Sequence, residues 1–178
     1  GYCIGGTLVA CAAAYLAAKK DKRLNSATFL TSLTDFEQVG EIDVFIDEEQ
    51  VQNLEKMMNE RGYLEGSEMA ATFNTLRAND LVWSFVINNY LMGKEPFPFD
   101  ILFWNGDSTR MPAAMHSAYL RRLYLDNALT KGELELDGTI LDLTKVKVPT
   151  YLLSTREDHI APWESTYKAT QLYSGDTT

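Results

Sequence analysis

The first six residues, Gly-Tyr-Cys-Ile-Gly-Gly, constrain the fold more than any other stretch of the chain. Gly1-Tyr2-Cys3-Ile4-Gly5 fits the G-x-S-x-G pattern of a nucleophile elbow, with cysteine in the serine position. An elbow is a sharp, strained strand-to-helix turn that lifts its nucleophile above a sheet. Residues two before and two after the nucleophile crowd each other there, which calls for glycine at positions 1 and 5. A third glycine, Gly6, lets the following helix pack closely. The segment TLVACAAAYLAAKK is rich in Ala and Leu and ends in a Lys pair, which predicts a helix from about Ile4 to Lys20. A thiolate at the N-terminus of such a helix gains from the helix dipole. An elbow also needs a strand in front of it and the chain has no initiator Met, so it is expected to be an internal piece of a longer protein.

Ser26–Leu33 is short, apolar and β-branched, as a buried strand is. Elbow, helix and strand together predict an α/β fold with a parallel sheet. From Thr34 to about Lys147 the strand signal fades. Val51–Arg61 and Ser67–Leu76 read as helices, Asn79–Met92 is heavily apolar, and Met111–Leu129 is a further helical stretch rich in aromatics. Pro96 and Pro98 break the chain before FDILFWN. A strand pattern returns at Val148–Ser154, with a helix expected from Trp163 to about Tyr173. The predicted organisation is an α/β-hydrolase fold fragment: residues 1–33 and 148–178 form parts of the core, and residues 34–147 form an inserted, mostly helical cap.

Composition narrows the function. The 178 residues carry a net charge of −9, which argues against nucleic acid as a partner. No apolar run reaches the length of a membrane span. Cys3 and Cys11 are eight positions apart, too far along one helix for a local disulfide, and no metal-binding spacing occurs. A reduced, cytoplasmic setting follows from that cysteine usage.

In α/β-hydrolases the triad runs nucleophile, acid, histidine along the chain. Cys3 comes first, and Asp158 stands in the loop just past the strand ending at Ser154. The histidine is expected after one more strand, beyond Thr178. Each residue also has a plainer reading. Cys3 is alternatively a buried structural cysteine, and Asp158 a cap for the helix that follows it. His159 adjoins Asp158, but consecutive loop residues tend to point apart, which makes it a poor partner for that carboxylate. His116 reads as a helix-surface or packing residue. Trp83, Tyr90, Phe103 and Trp104 are expected to fill the core of the cap, with a substrate channel as the second role. Asp107 and Arg110 are expected to pair and hold their loop, with contact to an acyl-CoA as the second role.

The segments GYCIGGT, SLTDF, DVFIDE, NDLVW, NNYLMG, FDILFWNGDSTRMP and VPTYLLSTREDHIAPW, in this order, resemble polyhydroxyalkanoate synthases, the class I type most closely. The resemblance covers essentially the whole chain. It implies an α/β-hydrolase core under a helical cap. It also implies a cytoplasmic acyltransferase that polymerises (R)-3-hydroxyacyl-CoA at a polyester granule surface, releases CoA, works as a homodimer in the full-length enzyme and needs no cofactor. Cys3 matches the family's nucleophile and Asp158 its catalytic aspartate, while His159 matches a residue that is not the base. The family's base lies in a later G-H-I-A-G-like segment that these residues do not include, so this fragment alone is expected to be inactive. The Ile4 backbone N–H would donate to the oxyanion. A thioesterase or esterase of the same fold, or a non-catalytic granule-binding fragment, are the competing expectations. The FWNGDSTRMP segment with a long cap speaks against a simple hydrolase.

Overall fold

A computed structural model describes every residue except Phe97 and Phe99, and the backbone but not the side chains of Leu81, Leu102 and Asn105. The chain forms two compact units, Gly1–Val51 with Ala118–Thr178, and Gln52–Ser117.

The first unit is built on parallel pairing. β1 (Ala27–Leu30) and β6 (Thr150–Leu153) pair in parallel, Ala27 opposite Thr150 and Leu30 opposite Leu153. Tyr2 adds a parallel bridge on the far side of β1, at Leu30, and Thr177 adds one on the far side of β6, at Thr150. Four parallel segments therefore lie side by side. Asp176 O and Thr178 O accept from Thr150 and Leu152, both at 2.8 Å. The strand expected beyond Thr178 thus begins before it. The predicted strands are also shorter than the sequence suggested. At one, Thr31 turns the chain with φ 46°, and Ser32 and Leu33 leave the ladder while staying buried.

α1 (Ile4–Ala18) crosses from the first of these segments to β1 and stops two residues short of the predicted end. Its buried residues are small, Gly6, Thr7, Ala10, Cys11, Ala13 and Ala14, which lets the helix approach its neighbours closely. Phe29 on β1 stacks on Tyr173, ring centroids 5.6 Å apart. Leu129, Leu141, Leu143 and Val146 complete this core. The same unit contains α6 (Ala128–Lys131), the hairpin of β4 (Glu135–Leu136) and β5 (Thr139–Ile140), and α7 (Trp163–Lys168), which ends earlier than predicted and continues as a 3₁₀ turn, Ala169–Gln171.

The second unit is mostly helical. α2 (Glu48–Arg61) leads into it, followed by α3 (Gly66–Leu76) and α4 (Asp100–Gly106), and α5 (Ala113–Tyr119) leads out. β2 (Tyr63–Leu64) and β3 (Met111–Pro112) pair antiparallel. Between α3 and α4 the chain widens into two π-helical turns, Asn79–Trp83 and Val86–Leu91. Phe99, at the head of the FDILFWN segment, lies outside the described residues.

Two expectations within this unit are corrected, and one is narrowed. Trp83, Tyr90, Phe103 and Trp104 do not fill a core; they are 54%, 84%, 91% and 63% exposed. They sit on short helical turns, and a short helix buries one face at most. Arg110 does not pair with Asp107; its Nε donates to Glu65 at 3.1 Å and its guanidinium lies 4.8 Å from the Tyr63 ring centre. His116, left between surface and packing roles, is buried, and burial lowers its pKa towards a neutral imidazole.

Candidate active site

The elbow is held from both sides. Leu30 N–H donates to Gly1 O at 2.9 Å, and Cys3 N–H donates to Leu30 O at 3.0 Å, so the approach to the turn is locked to β1. Gly6 N–H and Thr7 N–H then both donate to Cys3 O, at 2.9 and 3.4 Å, which starts α1. The Thr7 hydroxyl donates to Leu33 O at 2.6 Å and ties the first turn of α1 to the loop after β1. Cys3 itself adopts φ 49°, ψ −127°. That region costs a residue with a β-carbon about 1–3 kcal/mol and survives only where its surroundings over-determine it.

The glycines do not divide the work as the pattern suggests. A β-carbon on Gly1 would fall 2.5 Å from Gly6 Cα and 2.6 Å from Gly5 O, and one on Gly6 would fall 1.9 Å from Ser32 Oγ. A β-carbon on Gly5 would meet nothing within 4 Å. Crowding therefore falls on Gly1 and Gly6, because the peptide of Gly5 and Gly6, and not the Gly5 α-carbon, passes under Gly1.

The Cys3 thiol is partly buried, and its pKa is raised. Burial is the largest cause, and the negative charge of Asp158 adds to it. The Ile4 backbone N–H donates to the sulfur and pulls the other way. The expected dipole activation is therefore outweighed: the resting group is a thiol, and it needs a base to become a nucleophile.

Asp158 lies in the loop after β6. Its Oδ1 accepts from the backbone N–H of Ile160 and Ala161, both at 2.9 Å, and its Oδ2 is 3.4 Å from the Thr155 hydroxyl. The carboxylate is thus fixed through Oδ1 by two main-chain donors, while Oδ2 accepts, among the described residues, only the longer bond from the Thr155 hydroxyl. It does not cap α7, whose N-cap is Pro162. His159 acts here through its main chain. Its carbonyl accepts from Glu41 N–H at 3.1 Å, and Gly40, at φ 68°, lies so close that a β-carbon would fall 2.2 Å from that oxygen.

Cys3, the Thr31–Phe36 loop and the Ser154–Asp158 loop all follow the carboxyl ends of parallel segments, the edge where open α/β sheets place their ligands. Phe36 on the second loop packs against two residues that sequence reading missed, Tyr119 and Tyr124, with ring centroids at 6.2 and 4.9 Å. Both phenols have raised pKa values, chiefly through burial, with a smaller contribution from the charge of Cys3. The loop is anchored by Asn127, whose side chain accepts from Phe36 N–H at 2.9 Å and donates to Asp35 at 3.0 Å. A cavity of about 670 Å³ lined by Leu16, Lys20, Val146 and Pro149 lies at the opposite, amino end of the strands and contains none of these groups. Among the described residues no cluster of His, Cys, Asp or Glu is suited to hold a metal, and no helix is long and apolar enough to cross a membrane.

The chain is similar to poly(3-hydroxyalkanoate) polymerases. It is 55% identical to that of Methylorubrum extorquens, over 98% of this chain and 29% of the relative. It is 52% identical to the poly(3-hydroxyalkanoate) polymerase subunit PhaC of Rhizobium meliloti (strain 1021), over 100% of this chain and 29% of the relative. It is 47% identical to the corresponding subunit of Cupriavidus necator, over 97% and 30%. The chain thus spans under a third of the length of these relatives. A family model described as the alpha/beta hydrolase fold matches residues 1–177. With its elbow, parallel strands and acid-bearing loop, the chain belongs to the α/β-hydrolase fold family.

Proposed function

We propose that these residues are the nucleophile-bearing part of a polyhydroxyalkanoate synthase, an acyltransferase that joins (R)-3-hydroxyacyl units from CoA into polyester. The observation that carries the reading is the strained Cys3 elbow at the start of α1 with the Asp158 carboxylate in electrostatic reach of its sulfur. Similarity to the named polymerases supports the choice of substrate class.

In this reading a histidine base, contributed by residues that follow Thr178, takes the Cys3 proton. The thiolate attacks the acyl-CoA carbonyl, the new C–S bond forms as the C–S bond to CoA breaks, and the proton ends on the CoA sulfur. A chain-end hydroxyl then attacks the Cys3 thioester through its oxygen. Its proton passes by the same base to the Cys3 sulfur, which leaves as the thiol. Asp158 orients the base and steadies its positive charge through Oδ2, the oxygen that its two backbone bonds do not use. The Ile4 N–H stabilises the oxyanion in both halves of the cycle. Cysteine suits the task because exchange of one thioester for another is near neutral in free energy and keeps the acyl group reactive towards a hydroxyl. No atom changes oxidation state, so the reaction calls for no redox cofactor. Residues 34–147 would act as a cap that limits hydrolysis of the acyl-enzyme. The working protein would be a homodimer at a granule surface in the cytoplasm.

The test is to incubate the full-length protein with 3-hydroxybutyryl-CoA and map the acylated peptide. Label on Cys3, lost in Cys3→Ala, is expected. Label on Cys11 with Cys3 free would overturn the reading.

A further inference from the structure

The carboxylate of Asp158 is tied, through a single peptide plane, to a segment distant in sequence. The peptide that joins His159 to Ile160 is planar and rigid. Its N–H donates to Asp158 Oδ1 at 2.9 Å, and its carbonyl accepts from Glu41 N–H at 3.1 Å. The Glu41 N–H, that peptide and the carboxylate therefore form one run of hydrogen bonds. A tilt of the plane at the Glu41 end moves the donor that holds the acid at the other.

Gly40 sets the tilt. It opens a 3₁₀ turn, Gly40–Phe45, with φ 68°. A β-carbon there would fall 2.2 Å from His159 O, 3.0 Å from the carbonyl carbon and 3.3 Å from Pro162 Cγ. The residue 40 backbone thus lies directly on the carbonyl. The segment around it has little room to yield. Val39 and Ile42 are buried, and Gln38 O accepts at 2.6 Å from the hydroxyl of Ser165, which is also buried. Lys168 donates to Glu37 at 2.5 Å. The Asp158 turn and α7 are both fastened to the same strip of chain, residues 37–41, and all of these residues belong to one compact unit.

We propose that Gly40 is a positioning residue for Asp158: its bare α-carbon lets the His159–Ile160 peptide seat on Glu41 N–H, and that seat aims the carboxylate. The assignment rests on the reading of Asp158 as the acid given above.

The experiment is a double-mutant cycle in the full-length protein, read as CoA release from 3-hydroxybutyryl-CoA with melting temperatures alongside. Gly40→Ala pushes the peptide by about an ångström and is expected to lower kcat roughly ten- to a hundredfold, the scale of such a misplacement. In the Asp158→Asn background the same change is expected to cost less than about twofold, because the group it misplaces is already gone. Gly132→Ala is the control for backbone strain. Its φ is also 68°, but a β-carbon there would come no closer than 3.9 Å to any atom, so it is expected to lower the melting temperature and keep kcat. Ser165→Ala, which cuts the tie to Gln38 without adding an atom, carries the same cycle should Gly40→Ala not fold. Its expected loss is about threefold, again only where Asp158 is present. A merely structural contact would lower turnover by the same factor in both backgrounds. That result, or wild-type turnover in Gly40→Ala, overturns the proposal and leaves Asp158 as the acid. Wild-type turnover in Asp158→Asn overturns the reading of Asp158 and this assignment with it.

Discussion

Gly6 lies against Ser32 so closely that a β-carbon at position 6 would fall 1.9 Å from Ser32 Oγ and 2.4 Å from its Cβ. The first turn of α1 is thereby pressed onto the segment that leaves β1, and the height of Cys3 above the sheet is set by that contact.

Gly6→Ala is accordingly expected to destabilise by about 1–3 kcal/mol, the usual cost of overpacking. Gly5→Ala meets no atom within 4 Å and lies inside α1, so helix propensity favours it by about 0.5–1 kcal/mol. Urea unfolding of the two variants checks the contrast, and Gly6→Ala combined with Ser32→Gly should recover part of the loss.

The raised thiol pKa of Cys3 has a second contributor that can be removed. The Asp158 charge disfavours the thiolate, so Asp158→Asn should lower the Cys3 pKa. At any pH below that pKa the thiolate fraction then rises, and alkylation of Cys3 by iodoacetamide speeds up. Cys11 is buried with its pKa pushed up to about 11, and serves as the slow internal reference in peptide mapping.

Turnover should respond in the opposite sense. In the full-length enzyme Asp158→Asn is expected to keep its melting temperature and lose orders of magnitude in CoA release, since the base loses its support. His159→Gln leaves the main-chain carbonyl to Glu41 in place and should retain measurable turnover. A well-folded but dead His159→Gln beside a fully active Asp158→Asn would reverse the assignment.

Asn127 holds the loop that carries Phe36. It adopts φ 49° and both accepts from Phe36 N–H and donates to Asp35, which is 7% exposed. Asn127→Ala loses both bonds in a conformation alanine resists, and should cost about 2–4 kcal/mol. Asn127→Gly keeps the backbone and loses the bonds, so thermal melts of the pair separate the two terms.

The elbow and the fold family could be read from Gly1–Gly6 because backbone sterics permit few residue types there. Which glycines carry the crowding could not, since the pattern does not say which atoms cross. The order of Cys3 before Asp158 is visible in sequence; that Asp158 braces its own loop and leaves the α7 cap to Pro162 is a matter of local geometry. Tyr119 and Tyr124 were missed for a clear reason. Five residues apart, they belong to different faces of the α-helix that the pattern predicts, and only the π turn formed by Leu120–Leu125 unites them. The aromatic residues from Trp83 to Trp104 look like core by composition, but composition does not say how much surface their neighbours can cover.

β1 and β6 are adjacent in the sheet, yet the whole chain from Leu30 to Thr150 lies between them. Their pairing closes a very long loop, and every hydrogen bond of that ladder comes late against an entropy already lost. Cys3 and Asp158 inherit this topology, since each is mounted at the end of a strand segment whose neighbour is distant in sequence. Refolding from denaturant should therefore restore helical signal well before it restores a hindered, slowly alkylated Cys3, and the delay is a kinetic measure of how long the site waits for the chain to return to it.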